Sequence, residues 1–474
     1  MLINSFYFIN SLFFNFCIAF YLISALQWYS YKLKRVFFHY HKPLWHLYFL
    51  VFPYLMFLVF PLYSLIYFII LAPILYFWNK NIDKKLIFTN KVRWFFIFIF
   101  TYNTIFAILA LRISFLFNLL SLPLALISLK IYDLFSNLYY KKQAKVKLQT
   151  NEKLKIILIT ASFGKTSIKN FLYELLKDEF KVYKTPRSVN TLMGIISDIN
   201  NNLNNDTQIY ITEAGARVKG DIDEITRFLE PQICIIGEIG NAHLEYFKSI
   251  DSIRQTKLEA LNSKKLEKAF LHTSTLKQEN EVIAFYDDKI SNINSDLDGL
   301  KFEVFLEQKN HKFESQILGE FNAQNLCACI LCAHYLGIKL DSIKNNISKI
   351  KSVEHRLQII SKEPKFIIDD GFNGNFKGMS ASYKLCKLYQ GRKILVTPGI
   401  IEVNKEENIK LARIINECFE LAIITASINA EIFEKELSIE KIILKEKSEL
   451  VNTLAKETKN GDLILFSNDA PSFM

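Results

Sequence analysis

The stretch Lys155-Ile-Ile-Leu-Ile-Thr160-Ala-Ser-Phe-Gly164-Lys165-Thr166-Ser167 decides how this chain is read. An apolar run of strand type ends at Thr160 and a tight Gly-Lys-Thr-Ser turn follows. Ile168, Phe171, Leu172, Leu175 and Leu176 then recur at helical spacing. Strand, turn and helix in that order present backbone N–H groups and a helix N-terminus to a polyphosphate. Ser162, Gly164, Lys165, Thr166 and Ser167 are therefore candidate nucleotide-binding residues. Lys165 is placed to reach the β/γ-phosphates and the Thr166 hydroxyl to hold Mg²⁺. The consensus loop carries a glycine five residues before Gly164, where this chain has Ile159.

Outward from this loop the chain changes character. Half of its 474 residues are apolar and 41 are Phe, and the apolar runs concentrate before about residue 130. Beyond Lys141 the pattern is that of an ordinary α/β protein. The net charge is +11, without the Arg/aromatic interleaving that reads single strands, so nucleic acid is not an expected partner. Lys32, Lys34, Arg35, Lys84, Lys85, Lys130, Lys141, Lys142, Lys145 and Lys147 stand beside the apolar runs, where an anionic lipid surface is the natural partner. Cys327, Cys329 and Cys332 fall in an apolar helical pattern and read as packed small side chains, not as a zinc site.

Leu2–Trp28 is long enough to span a bilayer. Segments 44–78 and 94–129 are about 35 residues each, too long for one span at 1.5 Å per residue. Each reads as a helical hairpin, turning near Pro61 and near Arg112. Basic residues in 30–43, in 79–93 and after 129 put those segments on the cytoplasmic side. The expectation is five spans in the cytoplasmic membrane, with three long tilted spans as the alternative, a basic linker to residue 150, and the remaining chain inside the cell.

Downstream, Gln208-Ile-Tyr-Ile-Thr-Glu213 is a second strand that ends on a carboxylate, the usual means of holding Mg²⁺ beside a phosphate loop. A third strand, Gln232-Ile-Cys-Ile-Ile-Gly237, leads to His243, a candidate metal-site residue. Lys257 lies in a helical stretch rich in Lys and Glu, where a solvated face is the simpler reading.

The order of motifs resembles the Mur ligase family. It comprises Thr160–Ser167, Asn190-Thr-Leu-Met-Gly194, Glu213-Ala-Gly-Ala216 with Gly220-Asp-Ile222, Ala242-His-Leu-Glu-Tyr-Phe247 and Lys257-Leu-Glu259. It continues with Gly319-Glu-Phe-Asn322-Ala-Gln-Asn325, Arg356 and Asp369-Asp370-Gly-Phe-Asn373-Gly-Asn375. The Ala-His-Leu-Glu and Asp-Asp…Asn-x-Asn forms are those of the MurF branch, which joins D-alanyl-D-alanine to UDP-N-acetylmuramoyl-tripeptide. The resemblance covers about residues 151–470 and implies ATP, two Mg²⁺ ions and an acyl phosphate. It implies Lys165, His243, Lys257 and Arg356 as catalytic residues, and Thr166, Glu213, His243 and Lys257 (as a carbamate) around the metals. Asn322 and Asn325 are then adenine contacts, and Asp369 or Asp370 faces the ribose.

The implied architecture is an α-helical membrane region (1–150) followed by two α/β domains. These are a central ATP-binding domain (151–352) and a C-terminal Rossmann-like domain (353–474). The implied partners are a nucleotide-sugar peptide, D-Ala-D-Ala, the bilayer and other cell-wall enzymes at the membrane. Three departures stand out. Ala161 replaces a loop glycine and needs a negative φ; Phe321 stands where a histidine is usual, and Phe466-Ser-Asn-Asp469-Ala-Pro471 stands in place of a C-terminal Lys-Gly-Ser-Arg type segment; and apolar helices take the place of the UDP-sugar domain. A Mur-type ligase for a different carboxylate, or a silent membrane-anchored partner, are the alternatives. A nucleotide-driven transporter is disfavoured by the single phosphate loop.

Overall fold

The computed structural model describes residues 2–29, 31–38, 43–82, 84–110, 113–240, 247–401 and 405–469. It divides into two compact units, Met1–Lys141 and Lys142–Met474.

The first unit is helical. Helix α1 (Leu2–Trp28) is followed by α2 (Leu65–Asn81), α3 (Asn90–Ala110) and α4 (Ser121–Thr150). Among the described residues three helices are long and apolar enough to cross a membrane, Ser5–Trp28, Asn90–Ala110 and Leu116–Thr150, where five spans were expected. The segment around Pro61 separates two shorter apolar helices, Leu44–Val59 and Leu65–Asn81. The turn expected at Arg112 lies outside the described residues.

Helix α1 is largely buried in this unit, and its polar side chains meet partners from other helices. Asn10 Nδ2 donates to the Pro61 carbonyl (2.6 Å) and to Ser64 Oγ (3.0 Å). Asn15 Nδ2 donates to Asn103 Oδ1 (2.8 Å), and Asn118 Nδ2 to the Tyr7 hydroxyl (2.7 Å). Phe14 stacks on Phe57 at 4.1 Å between ring centroids.

The basic linker expected after residue 129 is instead a continuation of α4, because no Gly or Pro interrupts 124–150. Two of its lysines are engaged by protein, not left for lipid. Lys145 donates to the Phe228 carbonyl and pairs with Glu230 (3.2 Å), and Lys147 donates to the Ile199 carbonyl (2.9 Å).

The second unit is built on two six-stranded sheets. In the first the order is β2-β3-β1-β4-β5-β6, all parallel. These strands are β1 (Lys155–Thr160), β2 (Val182–Lys184), β3 (Ile209–Glu213), β4 (Ile233–Ile236), β5 (Lys268–Leu271) and β6 (Ile283–Phe285). The two-residue period of β1 gives the sheet two cores. Ile157 and Ile159 pack with Ile168, Phe171 and Leu172 of α5 (Lys165–Leu176) and with Leu326 and Cys329 further on; Ile156 and Leu158 pack with Ile195, Ile222 and Phe228. Both faces being covered, the strands read as continuous apolar runs.

A three-stranded antiparallel sheet, β7 (Ile290–Asp296), β8 (Gly299–Leu306) and β9 (Lys309–Ser315), adds Phe302 and Phe313 to the first core. The second large sheet has the order β10-β11-β15-β12-β13-β14. It joins the four apolar runs read from sequence as β11 (Phe366–Asp370), β12 (Lys393–Thr397), β13 (Leu421–Ile424) and β15 (Leu463–Ser467). β14 (Glu440–Ile443) lies at one edge and antiparallel β10 (Gln358–Ser361) at the other.

Candidate functional site

The site gathers at the carboxyl ends of β1 and β3, where open α/β sheets bind ligands. Gly164 caps α5 at φ +80°, and a Cβ there would stand 2.7 Å from Asn325 Oδ1, so both conformation and space demand glycine. Ala161 is not in the left-handed region, which meets the condition its side chain imposed. Its methyl is accommodated by Gly237, where an added Cβ would come within 2.7 Å of it.

Lys165 folds back on its own loop, donating to the Ala161 (2.7 Å) and Ser162 (3.3 Å) carbonyls. Burial pushes its pKa down to about 8, with Glu213 opposing the shift and Arg356 adding to it. Ser162 Oγ is exchanged with Gly240, donating to its carbonyl and accepting from its N–H, both at 3.0 Å. Ser167 is buried in the first turn of α5.

Parallel pairing sets Ile159 opposite Glu213, so the end of β3 meets the start of α5. Thr166 Oγ1 donates to Glu213 Oε2 at 3.2 Å. A hydroxyl and a carboxylate so placed are hard oxygen donors suited to one Mg²⁺, with phosphate oxygens and waters completing its shell. Among the described residues no group of three or more His, Cys, Asp or Glu is placed to hold a metal ion. His243 lies outside the described residues.

Lys257, on the helix Ile250–Leu258, is 5% exposed, so the solvated-face reading does not hold. Burial first, and then the charge of Lys165, drive its pKa well below the ordinary lysine value against the pull of Asp221 and Glu259. Its neighbours Lys264 and Lys265 are exposed. Glu259 accepts from the N–H groups of Gly220 (2.8 Å) and Asp223 (3.1 Å), a carboxylate at the start of the helix Asp221–Leu229.

The adenine-side asparagines are not equivalent. Asn322 is buried, donates to the Leu318 carbonyl (2.8 Å) and accepts from Asn325 Nδ2 (3.1 Å), so it holds Asn325, which abuts the loop at Gly164. Arg356 is half-buried and its pKa is lowered by desolvation, with Asp370 and Glu213 as its anionic neighbours. Asp369 accepts from His355 Nδ1 (2.6 Å, the ring proton placed there) and from the Gly371 N–H (2.9 Å). Asp370 accepts from the Leu357 N–H (3.0 Å) and Asn373 Nδ2 (2.8 Å); burial raises its pKa to about 7. Neither carboxylate is open in this conformation, so a ribose would have to displace His355 or another of these donors.

The sequence reading missed His355, whose ring also lies 4.5 Å from that of Phe372; its adjacency to Arg356 was the available signal. It also missed Lys169, one turn beyond Thr166, which pairs with Glu213 Oε1 at 2.8 Å.

Residues 159–333 match the Mur ligase middle domain. The chain carries a Mur ligase middle domain and is similar to MurF ligases. It is 25% identical over 337 residues to the UDP-N-acetylmuramoyl-tripeptide–D-alanyl-D-alanine ligase of Bacillus subtilis, covering 66% of this chain and 72% of that one. The enzyme of the same name from Borreliella burgdorferi is 29% identical over 240 residues, and there the match spans 51% of its length and 48% of this chain. Among solved structures, MurF from Thermotoga maritima in complex with ADP superposes with a TM-score of 0.61 at 22% identity, covering 70% of this chain and 80% of that one. A MurF structure from Acinetobacter baumannii gives 0.63 at 22%, covering 70% and 77%. These likenesses show that the Mur ligase fold is shared.

Proposed function

We propose that this protein is an ATP-dependent amide ligase that joins D-alanyl-D-alanine to UDP-N-acetylmuramoyl-tripeptide in peptidoglycan precursor synthesis. The observation that carries the reading is Lys257, buried within electrostatic reach of Lys165, where desolvation and that charge lower its pKa and favour the neutral amine. A neutral buried amine can attack CO₂, forming an N–C bond and releasing a proton, to give the carbamate that the family resemblance requires.

In the reaction the substrate carboxylate takes the γ-phosphoryl group of ATP, giving an acyl phosphate and ADP. The amine of D-Ala-D-Ala attacks the acyl carbon, and the tetrahedral intermediate collapses to an amide and phosphate. Lys165 leaves the loop carbonyls for the phosphates, and Arg356 adds a second positive charge in a site shielded from water. Thr166 and Glu213 are placed for one Mg²⁺, and Lys257 as carbamate with His243 is assigned to a second. The bound metal supplies charge neutralisation for the polyphosphate.

The first unit is assigned to the cytoplasmic membrane, with residues 142–474 on the cytoplasmic side where ATP is found. Its apolar exposed surface supports this placement, as do the basic residues around it. The deciding assay is phosphate release by the purified full chain given UDP-N-acetylmuramoyl-tripeptide, with and without D-Ala-D-Ala. Release that depends on the amine is expected. Release without it would mean an ATPase, and none would mean a silent partner.

A further inference from the structure

Lys169 is the charged side chain at this site that the ligase chemistry above leaves without a task. It follows Thr166 by three residues on α5, so the two share a helix face. Its side chain is 1% exposed, and so is that of Glu213, whose Oε1 lies 2.8 Å from Lys169 Nζ. Oε2 of the same carboxylate accepts from Thr166. The two oxygens are thus divided, one to a fixed ammonium and one to the hydroxyl that would share the metal.

The same ammonium reaches a third element. It donates to the carbonyl of Arg187 and lies 3.5 Å from Thr185 Oγ1. Arg187 sits at φ +47°, a conformation uncommon for a residue with a side chain. The loop Thr185–Asn190 is fastened a second time at its far end, where the Gly215 N–H donates to the Asn190 carbonyl at 2.8 Å. A Cβ on Gly215 would stand 2.8 Å from the Asn190 side chain, so the loop lies directly on the chain leaving β3. Lysine supplies what this junction needs, a point charge with three donors that can serve a carboxylate and a carbonyl together.

We propose that Lys169 is a positioning residue. It pins one oxygen of Glu213 so that the other is presented beside Thr166 for the metal, and it ties the loop Thr185–Asn190 to that end of β3. Metal occupancy and the order of this loop are thereby linked through one side chain. The proposal rests on the reading of the Thr166–Glu213 pair as a metal–nucleotide site.

The test uses the full chain in lipid nanodiscs with ADP as probe. Binding is measured by calorimetry in Mg²⁺ and in EDTA, and amide exchange is followed over residues 185–191. In the wild type Mg²⁺ should tighten ADP binding. Lys169→Met should cut that Mg²⁺-linked gain at least about tenfold while ADP binding in EDTA stays within about twofold, and exchange at 185–191 should rise at least about tenfold. Lys169→Arg keeps the charge and should restore part of the gain. A Lys169→Met protein with the wild-type gain overturns the proposal, as does one that loses affinity equally with and without metal. If Lys169→Met does not fold, Lys169→Arg carries the test: the broader guanidinium cannot hold both partners, so an unchanged gain and unchanged exchange overturn it. A wild type without any Mg²⁺-linked gain would instead sink the metal-site reading, and this proposal with it.

Discussion

The two units bury opposite kinds of chemistry. In the first, Asn10, Asn15 and Asn103 are fully or almost fully buried, while Ile66 and Phe135 are 70% and 65% exposed. In the second, the sheet cores are rich in isoleucine and leucine, the surface carries ion pairs such as Lys181–Asp206, and the buried polar groups include the ionisable Lys169, Glu213, Lys257, Asp369 and Asp370. Apolar surface costs about 25 cal/mol per Å² in water, so a surface like that of the first unit is stable only against an apolar neighbour. There buried amides are held by another amide, a carbonyl or a hydroxyl of the same unit. Around β1 and β3 the buried charged groups include Lys169, Lys257 and Glu213. Lys165 meets loop carbonyls, and Glu213 meets the Thr166 hydroxyl beside Lys169; the carbonyls and the hydroxyl are partners a ligand can replace. One unit buries polar groups between helices; the other buries charged groups at the ends of its central strands.

The largest effect should come from the charged side of this contrast. Lys165→Ala removes the loop cation, and phosphate release should fall by at least about 10²–10³, as for single donors to a developing charge. A loss below about tenfold would break the assignment of the loop. Lys257→Ala should lower ligation at least about tenfold, with partial recovery in added bicarbonate, because its charge acts only once carbamylated. Lys264→Ala and Lys265→Ala, on the exposed face, should remain close to wild type. Equal, mild losses at all three positions would return Lys257 to a structural role.

The pH response should be smaller. With its pKa near 8, Lys165 is neutral above that pH in the empty protein, whereas the unfolded chain keeps the proton to near 10.5. Between these values the unfolded state binds more protons, so this group makes the empty protein more stable as pH rises. A bound polyphosphate restores the charge. Nucleotide binding should therefore take up a proton above pH 8, and affinity should fall by up to about tenfold per unit. Calorimetry in two buffers of different ionisation enthalpy measures the proton directly, and a flat affinity with no uptake contradicts the shift.

The smallest effect belongs to the first unit. The coupling between Asn15→Ala and Asn103→Ala in a double-mutant cycle should be about 0.6–1.7 kcal/mol, measured as unfolding stability in bilayer-like surroundings. Zero coupling would mean that aromatic packing, such as Phe14 on Phe57, carries the helix contacts alone.

What the sequence determined by itself was local or periodic. The β1–loop–α5 unit follows from a two-residue and then a helical repeat punctuated by Gly164, and the strands β11, β12, β13 and β15 from apolar runs that both faces of a sheet require. The antiparallel strands β7–β9 were not read, because their outward residues are charged and their inward ones are supplied with partners only by the assembled core. Lys257 and Lys169 show the same limit in the site. Each is a lysine in a helix, and nothing in its neighbours distinguishes a solvated amine from a buried one. Only the tertiary structure decided that both are buried, because the desolvation that lowers Lys257 and the carboxylate that receives Lys169 come from strands and helices distant in the chain. The sequence also named Asn322 and Asp370 as ligand contacts. The packed structure gives them internal hydrogen bonds first, since a buried polar group takes whatever partner the fold brings within reach.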